Sequence, residues 1–141
     1  FLQGDKRITR LFASNKEEEI AYFRRSGIFP IMHVTLIKRE IVERHPWVPN
    51  NLMKAFNQAK EIAYRRVLNP RNVALAWVRN ALEEQLSVLG PDPWEFGLTP
   101  RNRKTLETLQ RYCVQQGIVR KQRPIEEMFI DAGKVNIPEE I

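Results

Sequence analysis

The sequence predicts a helix-rich α/β fold, and three features carry that reading. Residues 29–38, FPIMHVTLIK, form a short apolar run in which Val34, Thr35 and Ile37 are β-branched and Pro30 stands at the entrance. Residues 47–68 and 72–89 place apolar side chains at spacings of three and four, as helices with one buried stripe do. Pro and Gly punctuate the boundaries at Asn69-Pro70 and Gly90-Pro91. A chain of 141 residues that is 43% hydrophobic can form one compact domain, burying about two-thirds of its unfolded surface. Residues 1–130 read as a single helix-rich domain and residues 131–141 as a weakly held tail.

Taken in order, Arg7 to Phe12 is a weak candidate strand. Lys16 to Arg25 is the first helix: Ser14 can cap it, Glu17 completes a capping box three residues on, and Gly27 stops it. Glu17, Glu18 and Glu19 suit the positive end of that helix, which assigns them a structural role. The run 29–38 lacks clean alternation, so it reads as a strand covered on both faces. One confident strand cannot form a sheet. The chain is therefore expected to be a piece of a larger sheet, or to complete its sheet by strand exchange in a dimer.

A short helix at Arg39 to Arg44 precedes His45-Pro46. The helix within 47–68 presents Leu52, Ala55, Phe56, Ala59, Ile62, Ala63 and Val67 on one face. The next, 72–89, presents Ala74, Trp77, Val78, Ala81, Leu82, Leu86 and Leu89. In the linker PDPWEFG, Trp94 and Phe96 are expected to dock on the core. The last long helix has Thr99 as cap, Pro100 at its first position, Leu106, Leu109, Tyr112 and Cys113 inward, and Gly117 as its stop. Pro124 to Phe129 adds a turn.

The net charge of +6 suits an anionic partner, but the basic residues come in pairs interleaved with Glu, which is the pattern of a solvated surface. Nucleic-acid binding would rest on charge alone, without aromatic–basic alternation, and is not expected. A single cysteine, Cys113, excludes an internal disulfide and a multi-cysteine zinc site. No apolar run of about 18 residues is present to span a bilayer. The opening FLQGDKRITR lacks the apolar stretch of a secretory signal, which leads to a cytoplasmic expectation, with a periplasmic full-length form as the alternative. No phosphate loop, nucleophile elbow or metal-ligand spacing is found, so no cofactor and no metal are expected.

Residues 27–67, GIFPIMHVTLIKREIVERHPWVPNNLMKAFNQAKEIAYRRV, resemble the carboxyl half of the 4,5-dihydroxyphthalate decarboxylase family and of related solute-binding proteins. The resemblance continues through DPWEFGLTPRNRKTLETLQRYCVQQGI, residues 92–118, and covers about residues 7–130. It implies part of a type 2 periplasmic-binding fold, two α/β lobes with ligand held between them, whose amino-terminal half is not in this chain. The ligand class it implies is an aromatic polycarboxylate. A chain with one side of the cleft is expected to be inactive alone and to act as a homodimer or with the missing half. The alternative is a stand-alone helical interaction or adaptor module without catalysis.

Decarboxylation of an aromatic ortho-diacid needs cations to hold the carboxylates and an acid to protonate the ring carbon. His33 is the catalytic candidate, because ligands of open α/β sheets meet strand ends and an imidazole moves protons near neutral pH. Its other reading is a hydrogen-bonded core histidine. Arg24 and Arg25 are candidate carboxylate clamps, since guanidinium pairs bidentately. They also suit an exposed helix end. Tyr22 and Arg10 are further substrate-binding candidates, and His45 reads as a packing or capping residue.

Overall fold

A computed structural model describes residues 7–132. Six helices follow in order: α1 Asn15–Ser26, α2 Arg39–Arg44, α3 Val48–Leu68, α4 Val78–Leu89, α5 Pro100–Gln115 and α6 Ile125–Met128, with a 3₁₀ turn at Pro70–Asn72 between α3 and α4. The boundaries follow local chemistry. At α1 the Ser14 hydroxyl accepts from the Glu17 N–H at 3.5 Å, and Gly27, left-handed at φ 67°, ends the helix by donating to the Phe23 carbonyl. At α5 the Thr99 hydroxyl accepts from the Asn102 N–H at 3.1 Å while donating to Glu95 at 2.9 Å, and Pro100 fills the first position.

The α/β expectation is overturned: among the described residues there is no strand. The stretch 29–38, expected to be a buried strand, has no regular secondary structure up to Lys38 and makes no main-chain ladder with any of the described residues. Met32, Val34 and Leu36 on it are exposed, Leu36 by 89%. A segment becomes a strand only when a neighbour satisfies its N–H and C=O groups, and none of the described residues does so here. Residues 7–12, the other candidate, are likewise loop, with Leu11 89% exposed. A partial periplasmic-binding sheet, and its completion by strand exchange, therefore fall with these two segments.

The helix expected over 72–89 is shorter by six residues. Asn69 accepts from the Arg71 N–H, closing the 3₁₀ turn, and residues 73–77 cross to α4 as loop. Trp77, expected inward, is 77% exposed. Of the tail predicted at 131–141, only Asp131 and Ala132 fall within the described residues, and Ala132 is buried.

Few side chains are fully buried. Ile28, Pro49, Pro93, Thr105, Leu106, Ile125 and Ala132 are, and three of them belong to α5 and α6. Gln110 clamps residue 123 through two hydrogen bonds and Arg103 pairs with Glu126 at 2.7 Å, closing α6 over α5. Lys104 donates to the Ser26 carbonyl at 2.6 Å, tying α5 to the end of α1. The total accessible surface is 12187 Å². A compact monomer of this mass would expose roughly 7600 Å².

Candidate functional site

Helices α1 and α4 pack side by side, joined by a Lys16–Glu84 ion pair at 2.9 Å. Each presents a stripe at helical spacing: Lys16, Glu19, Ile20 and Phe23 on α1, and Ala81, Glu84, Gln85 and Val88 on α4. The loops at residues 9–12 and 28–32, together with Trp94, close the ends of a half-open groove of about 1260 Å³. Phe29 meets Trp94 edge to face at 4.9 Å, so that end of the groove is aromatic.

Three of the five site residues predicted from sequence come together here. Arg10, Tyr22 and Arg25 all line the groove. The Arg25 guanidinium lies 5.8 Å from the centre of the Tyr22 ring, a cation–π contact that leaves its N–H edge available. Arg24, about 100° away around α1, is outside the lining. His33 is also outside it, exposed on the irregular stretch between α1 and α2. His45 packs edge to face on Trp47 at 5.8 Å.

The sequence reading missed Lys16, Phe23, Phe29, Glu84 and Gln85. The signal for the α1 and α4 members was present as stripes at spacings of three and four, but their facing each other depends on how two helices separated in the chain by α2 and α3 dock. The groove's charges are mixed: Lys16 is matched by Glu84, leaving Arg10 and Arg25 beside Glu18 and Glu19.

A second polar cluster lies across Trp94. Lys60, only 12% exposed at its side chain, pairs with Asp92 at 2.5 Å, donates to the Trp94 carbonyl at 3.3 Å, and stands 4.7 Å over the Phe96 ring. Tyr64 donates to the other Asp92 oxygen at 2.9 Å. Burial first, then the hydrogen bond to Asp92, pushes the Tyr64 hydroxyl up to about 12. Beside it is a smaller cavity of about 380 Å³ lined by Tyr64, Leu82, Leu86, Pro91, Pro93 and Trp94. Lys60 and Tyr64 each hold one oxygen of Asp92, which makes the cluster a clamp for the linker.

Among the described residues, no three His, Cys, Asp or Glu side chains gather as a metal-ligand set, and no helix is long and apolar enough to cross a membrane. No family model matches the chain. Over 99 residues, 69% of its length, it is 29% identical to 4,5-dihydroxyphthalate decarboxylase from Comamonas testosteroni. That stretch is 30% of the relative, so the chain spans about a third of the protein it matches. The likeness supports a distant relationship to this decarboxylase.

Proposed function

We propose that this chain is part of a 4,5-dihydroxyphthalate decarboxylase-like or solute-binding protein, and that the α1–α4 groove is one wall of a site for an aromatic polycarboxylate. The observation that carries the reading is the gathering of Arg10, Arg25 and Tyr22 on a single groove with an aromatic end. Two guanidinium groups can take the two carboxylates of an ortho-diacid, and the ring can lie against Phe29 and Trp94. At about 1260 Å³ and half open, the groove is larger than the roughly 300–1,000 Å³ of a pocket that encloses a small ligand. A second wall, from another polypeptide or another part of the same one, is needed to exclude water. His33 stands outside the groove, so proton delivery to the ring carbon also awaits that wall.

Calorimetric titration with 4,5-dihydroxyphthalate and with benzoate tests this. The diacid is expected to bind weakly and more tightly than benzoate, Arg25→Ala to weaken it about tenfold or more, and the chain alone to release no carbon dioxide. Equal binding of both acids, or diacid affinity unchanged in Arg10→Ala and Arg25→Ala alike, would remove the reading. The exposed apolar side chains of α3 favour a second one, a helical interaction module without chemistry. That module would gain no stability from any carboxylate.

A further inference from the structure

The loop that follows α5 holds aliphatic side chains and cations together in solvent. Gly117 is left-handed at φ 71°, and the Ile118 and Gly117 N–H groups donate to the Cys113 and Val114 carbonyls at 2.8 and 3.0 Å, a complete helix-ending motif. Gln110 then holds the main chain of Arg123: its Nε2 donates to the Arg123 carbonyl at 3.0 Å and its Oε1 accepts from the Arg123 N–H at 2.7 Å. The chain thus leaves α5 at its end and is pinned back to the helix at Gln110, which makes residues 117–122 a closed loop. In this motif the residue after the glycine commonly packs on the last turn of the helix. Ile118 is instead 67% exposed, and Val119 beside it is 42% exposed.

Cations accompany that pair. Between Glu107 and Glu126 the chain carries Arg111, Arg120, Lys121 and Arg123 and no acid. All four are exposed, and among the described residues none of them pairs with a carboxylate. Arg111 lies 5.3 Å from the centre of the Tyr112 ring, and the two hydrogen bonds of Gln110 bring Arg123 back beside it. Glu126, the first acid after the loop, is already held by Arg103. The negative end of α5 offsets only about half a unit of this charge.

We propose that this loop docks on an anionic lipid bilayer, with Ile118 and Val119 entering the interfacial layer and the four cations meeting the headgroups. A polyanion in water, nucleic acid included, would pair with the cations and leave both aliphatic side chains solvated. A bilayer satisfies both sets, because its headgroups carry the charge and the acyl boundary lies just beneath them. The long stems of Arg and Lys let the charged ends stay at headgroup level while the tip goes deeper. Each cation at such a surface strengthens binding roughly fivefold, so four of them with two aliphatic side chains give a reversible association. The loop is outside the lining of the α1–α4 groove, so the docking does not rest on the ligand proposed there.

Flotation of the full chain with vesicles tests the docking. Binding is expected to vesicles of phosphatidylcholine with about 30% phosphatidylserine and not to pure phosphatidylcholine, and it is expected to fall about tenfold or more between roughly 50 and 500 mM salt. Arg120→Glu combined with Lys121→Glu is expected to weaken it by roughly twenty-fivefold or more. Ile118→Ser is expected to weaken it about fivefold at low and high salt alike. Helical circular dichroism is expected to be unchanged in both variants, because all three side chains are exposed. In a Cys113→Ser background, an environment-sensitive fluorophore on Gln122→Cys is expected to shift to the blue on the anionic vesicles, and one on Ser87→Cys in α4 is not. This measurement decides the matter if a substituted loop fails to fold. Absent binding, equal binding to both vesicle types, an Ile118→Ser chain that binds as tightly as the wild type, a silent fluorophore at residue 122, or nucleic acid bound more tightly than the anionic vesicles at the same salt would overturn the proposal.

Discussion

Asp92 draws two side chains of α3, Lys60 and Tyr64, onto the linker that leads to α5. Their spacing of four residues puts them on one side of the helix, which the sequence displays, whereas the carboxylate that joins them lies 28 and 32 residues further on. The arrangement has a consequence at high pH. The Tyr64 hydroxyl, pushed up from 10.0 to about 12, keeps its proton longer in the folded chain than in the unfolded one. The folded state then binds more protons between those values, so stability falls as pH rises from about 10 towards 12 and is fully present below about 10. Denaturant melts of the wild-type chain and Tyr64→Phe at both ends of that window are expected to differ in slope against pH, the variant losing less stability. The same reasoning at the residue scale separates Arg25, which lies in the groove, from Arg24, which does not. Adjacent residues on a helix point about 100° apart, and only the docking of α4 decides which of the two lines the groove.

Helix ends are the elements most directly written in the sequence. Ser14, Gly27, Thr99 and Pro100 each perform the capping task their chemistry suggests, because caps are satisfied by atoms within a few residues. Gly27 holds φ 67°, and a Cβ there would meet Lys104 Nζ at an ordinary 3.5 Å. The penalty for Gly27→Ala is therefore one of backbone strain, about 1–2 kcal/mol in urea unfolding. A loss near zero would mean that the turn rearranges. The run 29–38 is the opposite case. Its composition is that of a strand, but a strand is a pairwise object, and the residues that would pair with it are not among those described. The shortening of the helix expected over 72–89 has a nearer cause, since Asn69 and Pro70 set a 3₁₀ turn that delays α4 until Val78.

At the scale of the whole molecule, the open surface has a direct readout. The amides of residues 31–37 lack main-chain acceptors and are expected to exchange with deuterium at rates close to those of an unfolded peptide, while those in the middle of α5 are slowed by orders of magnitude. Protection across 31–37 in the isolated chain would require a strand partner that is not found among the described residues. The apolar stripe on α3 and the run at 29–38 were both legible as surfaces meant to be covered. The sequence by itself determined the caps of α1 and α5, that no disulfide forms within the chain, and the apolar stripes of the helices, because these depend on composition, local hydrogen bonding and helical period. Only the tertiary structure decided that Arg10, Tyr22 and Arg25 share a groove while His33 and Arg24 do not, and that 29–38 is not a strand. Those outcomes depend on which distant segments meet, and a contact across many residues is set by the packing of whole elements, which no local pattern encodes.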